Sequence, residues 1–158
     1  MPFPSAGPYR CWPAERGRRW PALPTGWLGR SRRNSFSPSC INPAGAITGY
    51  YCDATNCHGF LRTPGGTITS FDIPGDANGT YPPGLTPAGA SEGNYIDASA
   101  VNRGFFGVPG GTFNTFDVQG AGTGSGQGTI PFVNDPSNAI TGYYVDSSNV
   151  SHAFLRTH

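Results

Sequence analysis

Lysine is absent from the 158 residues, methionine occurs once, and charged residues make up only 12% of the chain. No stretch approaches the roughly 18 consecutive apolar residues that a membrane-spanning helix needs. No window keeps apolar residues at a helical period. No positively charged start precedes an apolar core, so a secretory signal is not recognisable. These absences argue against a helical protein and against a membrane span.

Motifs that carry enzyme chemistry are also missing. The sequence has no Gly-x-Ser-x-Gly elbow, no His-Glu-x-x-His pair and no EF-hand loop. The glycine-rich segment 120–128, GAGTGSGQG, lacks the Gly-Lys-Ser/Thr ending of a phosphate loop and is predicted to be a flexible linker. We therefore predict no catalytic residues, no cofactor and no metal site.

Glycine and proline are abundant instead, with 24 and 16 residues, which is typical of short strands separated by many turns. Segment 46–73 contains three runs of β-branched and aromatic residues, AITGYYC, HGFLR and TITSFDI, with turn-forming residues between them. The first two runs predict a hairpin with a four-residue loop. The three together predict an antiparallel meander.

This pattern occurs three times. Gly49, Gly93 and Gly142 mark equivalent positions, separated by 44 and 49 residues. A period of about 40–50 residues with roughly four strands is typical of propeller blades or similar stacked sheets. Segments 81–85 and 129–133 are the candidate fourth strands of the units before them, and their prolines favour edge positions. The prediction is an all-β fold of tandem four-stranded antiparallel meanders, propeller-like but incomplete.

Two regions differ sharply in composition. Residues 1–34 contain all three tryptophans and seven of the ten arginines, whereas the remainder carries eight of the nine acids. We predict a disordered arm at 1–34, either a separate tail or a sequence read through from a misplaced start, and a β-repeat domain at 35–158. The expected units are about 35–84, 85–131 and 132–158, the last one truncated.

The third copy carries a family resemblance. VNDPSNAITGY at 133–143 followed by HAFL at 152–155 resembles the HAF repeat of bacterial extracellular proteins, and the first copy has HGF at 58–60. The similarity covers residues 41–157, although the second copy has Arg103 in place of the histidine. The resemblance implies a β-repeat fold and a location outside the cytoplasm. It implies no activity and no catalytic residue.

Cys52 and Cys57 flank the predicted four-residue loop and should lie opposite each other, within reach of a disulfide. Free thiols packed as small hydrophobic groups are the alternative. The third copy has Val145 in the first of these slots, so the unit does not require a bridge.

Polar and aromatic residues also recur. His58 and His152 begin equivalent strands, for which we favour a hydrogen-bonded structural role over catalysis. Asp53, Asp97 and Asp146 follow the first strand of each unit, where an aspartate favours a turn. Asp72 and Asp117 repeat in the third strand, and repeated carboxylates favour an architectural role over a catalytic pair. Repeated tyrosines favour packing between sheets over a sugar-binding surface; they are Tyr50, Tyr51, Tyr95, Tyr143 and Tyr144.

These observations favour a non-catalytic repeat module of a larger exported bacterial protein, structural or ligand-binding. One alternative is an accessory fragment of a carbohydrate-active enzyme. Another is binding to an anionic surface or nucleic acid through the arginines of RGRRW at 16–20 and RSRR at 30–33, for which the rest of the chain offers no support. The truncated third unit further predicts an open blade edge and self-association through it.

Overall fold

The computed structural model describes residues 36–135 and 137–157. Within these residues the predicted all-β fold is confirmed, with eleven strands and no helix. Accordingly, none of these residues belongs to a helix with the length and apolar character that membrane crossing requires. The predicted arm at 1–34 lies outside the described residues.

The first unit is an antiparallel meander in which each strand pairs with the next. Its strands are β1 (Phe36–Ile41), β2 (Ile47–Cys52), β3 (Cys57–Arg62) and β4 (Ile68–Phe71). The predicted hairpin is confirmed, because β2 and β3 are joined by the four residues 53–56 with Cys52 opposite Cys57. We call these four strands unit 1.

The second and third units repeat this arrangement. Unit 2 consists of β5 (Thr80–Leu85), β6 (Ser91–Ile96), β7 (Asn102–Gly107) and β8 (Phe113–Phe116), and unit 3 of β9 (Gly128–Asn134), β10 (Ile140–Val145) and β11 (Ser151–Arg156). A single parallel pair, Asn102 with Gly128, joins units 2 and 3 into one mixed sheet. The described strands close neither a barrel nor a propeller.

The proline-containing strands belong to the units that follow them. β5 pairs with β6 and β9 pairs with β10, so the assignment of segments 81–85 and 129–133 to the preceding units is wrong. The expected edge position holds for β5, which ends the strand order of its sheet. Hydrogen bonding therefore begins unit 2 at Thr80 and unit 3 at Gly128.

The glycine that defines the repeat is fixed by close backbone packing. Gly49 pairs with Pro38 and Gly142 with Pro131, and in each case the first strand has a bulge or irregularity beside the pair. A Cβ on Gly93 would collide with Tyr81 O and with Cα of Pro82. Only glycine allows the second strand to approach the proline of the first strand. Pro and Gly consequently stand eleven positions apart in all three units.

The units stack face to face. We call the face of a unit that contacts the next unit its trailing face, and the face that contacts the previous unit its leading face. β5 lies against β2 and β3 of unit 1, and β9 lies against β6 and β7 of unit 2. Between units 1 and 2, the Thr48 Oγ lies 3.1 Å from the Ser91 Oγ, and Phe71 packs on Phe105. Between units 2 and 3, Phe116 packs on Phe154.

The core therefore lies mainly between sheets, not within them. One cluster joins Phe71 of unit 1, and Ile73 just after that unit, to Tyr95 and Phe105 of unit 2. A second cluster joins Cys40, Ala46 and Leu61 of unit 1 to Leu85 of unit 2. Because each unit buries its apolar side chains against a neighbour, a single unit has little core of its own.

The glycine-rich segment 120–128 forms hydrogen-bonded turns between units 2 and 3. Gly126 N donates to Ala100 O, Asn102 N donates to Gln127 O, and the Gln127 amide donates to Asn149. Gln127 is buried. The expectation of a flexible linker does not match this geometry, because the backbone N–H groups and the Gln127 side chain anchor the segment to both units.

Candidate functional site

Each unit places an aspartate at the turn between its second and third strands. Asp53 Oδ1 accepts hydrogen bonds from the Thr55 hydroxyl, Thr55 N and Asn56 N. These bonds hold the pKa of Asp53 well below its ordinary value, and the bond from the Thr55 hydroxyl has the largest effect. Asp146 Oδ1 accepts from Val150 N and Ser148 N, which likewise lowers its pKa. These carboxylates are ionised and locked into their turns.

The middle unit repeats the turn with a partly buried carboxylate. Burial alone would raise the pKa of Asp97, but hydrogen bonds from Val101 N, Arg103 and Ser99 N lower it overall. The same turn thus occurs three times with the same acceptor role. Sequence analysis assigned this turn role to the aspartates.

The second carboxylate oxygen of each turn aspartate meets a histidine or arginine side chain on the third strand. Arg103 Nε donates to Asp97 Oδ2 at 3.0 Å, and His152 Nε2 lies 2.8 Å from Asp146 Oδ2. In unit 1, His58 Nε2 lies 3.3 Å from Asp53 Oδ2, an ion-pair distance without hydrogen-bond alignment. Histidine and arginine therefore occupy one equivalent slot.

A second aspartate, just after the fourth strand, completes the cluster in units 1 and 2. His58 Nδ1 lies 2.8 Å from Asp72 Oδ1, and Arg103 Nη1 donates to Asp117 Oδ2. We call these groups the aspartate clusters. Each one ties the turn after the second strand, the third strand and the end of the fourth strand together.

The exchange of histidine for arginine indicates what the slot requires. A neutral imidazole has one N–H and can donate to only one carboxylate, whereas an imidazolium donates to two. Arginine is always charged and has five N–H donors. Since Arg103 contacts two carboxylates from the position that His58 holds in unit 1, the slot accepts a side chain with two nitrogen atoms that face two aspartates. No group of acids, histidines and cysteines in the described ranges is arranged to hold a metal ion.

The disulfide candidate lies beside the first cluster. The structure joins Cys52 to Cys57, with their Cα atoms 3.9 Å apart. Asp53 N donates to Asn56 O across the loop, so the cysteines occupy the adjacent non-hydrogen-bonded pair, where opposed Cα atoms are closest. Cys40, on β1, is also disulfide-bonded.

The repeated tyrosines do not share one surface. Tyr50 packs edge-on against Tyr81 of unit 2, at 5.0 Å between ring centroids, and Tyr95 is buried in the core. Tyr144 stacks on His152 of its own unit at 4.9 Å. Tyr143, on β10, contacts Phe132. These rings serve packing within and between units.

Sequence analysis missed Glu92 on β6. It stands where units 1 and 3 have Thr48 and Thr141, its side chain is fully buried, and neither carboxylate oxygen has a hydrogen-bond partner. Gly84 lies opposite and leaves the space that this side chain fills. Burial raises the pKa of Glu92 to about 8. The sequence did contain a signal for this site, because Glu92 replaces the threonine of the other two units and Gly84 stands at the position paired with it.

The aspartate clusters also had a sequence signal, which was not used for their prediction. Asp72 follows His58 by fourteen positions, and Asp117 follows Arg103 by the same interval. The shared interval identifies Arg103 as the equivalent of the histidine and not as a departure from the pattern.

Comparisons with known proteins give no family for the chain. No protein-family model, no curated protein and no solved structure matches it. The function must therefore be argued from the geometry above.

Proposed function

We propose that the chain is a non-catalytic repeat module of a larger exported bacterial protein, in which further β-units continue the same propeller-like stack. Its role is structural or ligand-binding. The supporting observation is the open trailing face of unit 3. Val133 is 43% exposed and Leu155 is 71% exposed there. Thr141 is exposed on the same face, whereas its unit 1 equivalent Thr48 is fully buried and lies against Ser91 of unit 2.

The polar chemistry supports a non-catalytic role. The turn carboxylates already accept hydrogen bonds from backbone N–H groups of their own turns, and the histidine or arginine of the third strand lies against each of them. A general acid or base needs a group that is free to exchange a proton with a substrate. Repetition of the cluster in unit after unit fits an architectural device better than a single reaction centre.

Two observations support a location outside the cytoplasm. The HAF resemblance implies it, and the disulfide between Cys52 and Cys57 fits an oxidising compartment. A hairpin bridge of this kind would be reduced under ordinary cytoplasmic conditions.

The DNA on both sides of this reading frame tests the proposal. We expect further units that carry proline and glycine eleven positions apart, and a histidine or arginine followed by aspartate fourteen positions later. We also expect a secretory signal in the same protein. A neighbouring frame without such units would contradict the proposal, and one encoding a glycosidase acid pair would favour the carbohydrate-active enzyme instead.

A further inference from the structure

The outer edge of β11 has no neighbouring strand in the described part of the chain. β11 pairs with β10 and ends the strand order of its sheet, whereas its equivalents β3 and β7 also pair with β4 and β8. Asp146 N donates to Val150 O, and opposed residues of β10 and β11 alternate from that hydrogen-bonded pair without a register shift. The N–H and C=O groups of Ala153 and Leu155 therefore point to the open edge.

Units 1 and 2 show what kind of strand covers this edge. Their fourth strands and the residue that follows share one pattern, ITSFD at 68–72 and FNTFD at 113–117, with an apolar residue, two polar residues, phenylalanine and aspartate. Phe71 pairs with Gly59 across the edge of β3, and the equivalent pair in unit 2 has the same register. The two strands therefore serve as templates for a strand on β11.

His152 keeps a place for the aspartate of this pattern. Its Nε2 atom lies 2.8 Å from Asp146 Oδ2, whereas its Nδ1 atom has no carboxylate beside it among the described residues. In unit 1 the Nδ1 atom of His58 lies 2.8 Å from Asp72 Oδ1, and Asp72 is the residue just after β4. A strand that covers β11 in the same register would place an aspartate beside His152.

Ala153 restricts the residue that precedes this aspartate. An ideal Cβ on Gly59 would lie 2.7 Å from the ring of Phe71, and one on Gly104 would lie 2.8 Å from the ring of Phe116. Ala153, the equivalent of these glycines, carries that Cβ atom. A phenylalanine in the same orientation would collide with it, so the residue opposite Ala153 must be smaller. Valine is such a residue and favours strands.

We propose that the outer edge of β11 binds an antiparallel strand of the larger exported protein, with an apolar residue smaller than phenylalanine opposite Ala153 and an aspartate opposite His152. The inference rests on the proposed function, because that protein supplies the strand. Main-chain hydrogen bonds to Ala153 and Leu155 hold the strand, as in other cases of strand addition, and the two side-chain contacts select it. The strand completes unit 3 as β4 completes unit 1.

The test adds such a strand to the full chain. The segment PGGTITSVD, copied from residues 64–72 with valine in place of phenylalanine, follows Thr157 in place of the last residue. This length puts its aspartate fourteen positions after His152, the interval found in units 1 and 2. A second version keeps the phenylalanine, and a third has valine but ends in asparagine instead of aspartate. The phenylalanine version is also made in an Ala153→Gly chain.

Amide hydrogen exchange measured by nuclear magnetic resonance reports on the edge residue by residue. The N–H groups of Ala153 and Leu155 gain a partner only if the added strand pairs with β11. Those of His152 and Phe154 bond to β10 by the same alternation and serve as internal references. A change at the first pair alone therefore separates pairing at the edge from a change in overall stability.

We expect the valine strand to slow exchange at Ala153 and Leu155 by at least about tenfold relative to the unmodified chain. The phenylalanine and asparagine versions should protect these amides less, and Ala153→Gly should restore protection by the phenylalanine strand. Unchanged exchange with the valine strand would overturn the inference. Equal protection by the valine and phenylalanine versions, or by the aspartate and asparagine versions, would overturn the selection of the strand by Ala153 or His152.

The exchange measurement and the test of the proposed function fail separately. An unpaired valine strand would leave the search for further units in the neighbouring DNA as it stands. Neighbouring DNA without further units would contradict the proposed function but would not change the exchange rates at the edge of β11.

Discussion

Glu92 offers the most quantitative test of the stacked-unit structure. Its carboxyl group is fully buried without a hydrogen-bond partner on the trailing face of unit 2. Burial raises its pKa from 4.5 to about 8, so the folded chain holds a proton that the unfolded chain releases above pH 4.5. The contribution of Glu92 to the free energy of unfolding is therefore fully present below pH 4.5 and is lost as the pH rises through 8. Replacement by glutamine removes this titration while keeping the size of the side chain.

The magnitude follows from the two pKa values. One pH unit of difference is worth 1.36 kcal/mol, so the full effect is about 5 kcal/mol above pH 8. Between pH 5 and pH 8 the free energy of unfolding should fall by roughly 3 to 4 kcal/mol through this group. A domain of this size is typically stable by about 5–15 kcal/mol, so the effect is large.

The assay is urea unfolding of the parent chain and the Glu92→Gln variant, followed by far-ultraviolet circular dichroism at fixed protein concentration. The two proteins should have similar stability at pH 5, and the variant should be the more stable by roughly 3 to 4 kcal/mol at pH 8. Other titrating groups are shared and cancel in the difference. Parallel pH curves would refute the reasoning, because they would mean that the carboxyl group is solvated or paired.

Three further predictions concern the repeat itself, each measured as a free energy of unfolding in urea. Gly93→Ala should cost about 2–3 kcal/mol, because the new Cβ meets the Pro82 backbone. Gly65→Ala lies in an open turn and should cost little. Equal effects of the two substitutions would contradict the close packing at Gly93. Arg103→Met should lower the free energy of unfolding by about 1 kcal/mol, because it removes the cation between two carboxylates. Arg103→His should recover part of this loss at pH 5 but not at pH 8. A methionine variant as stable as the parent chain would show that the cluster does not stabilise the fold. Replacing Cys52 by valine together with Cys57 by serine should cost about 2 kcal/mol and leave the fold intact, whereas loss of the β-sheet signal would show that unit 1 depends on its bridge.

Local sequence pattern predicted the elements that depend on neighbours along the chain. The hairpin formed by β2 and β3 was predictable because β-branched and aromatic runs flank four turn-forming residues. The turn role of Asp53 followed from its short side chain, which accepts hydrogen bonds from its own loop. Both features are decided within about ten residues.

Features decided between units were not predictable in the same way. β5 pairs with β6 and not with unit 1, because Pro82 approaches Gly93 closely. The strand propensities of single residues do not predict such a contact between two strands. The burial of Glu92 depends on Gly84 across the sheet and on a unit stacked above it. The turns of segment 120–128 depend on Gln127, whose amide anchors glycines that would be flexible alone.

Native-state hydrogen exchange at low protein concentration tests the central claim most directly, that the described strands form a stack of separate units and that unit 3 has an open face. Amides of β6 and β7 lie in a unit covered on both faces, whereas those of β10 and β11 lie in a unit covered on one face. In a stacked array the end unit opens without the rest. We predict that β10 and β11 exchange at least about tenfold faster than β6 and β7. Equal protection in the two units would contradict the account, because it would mean that all the strands unfold together as one core.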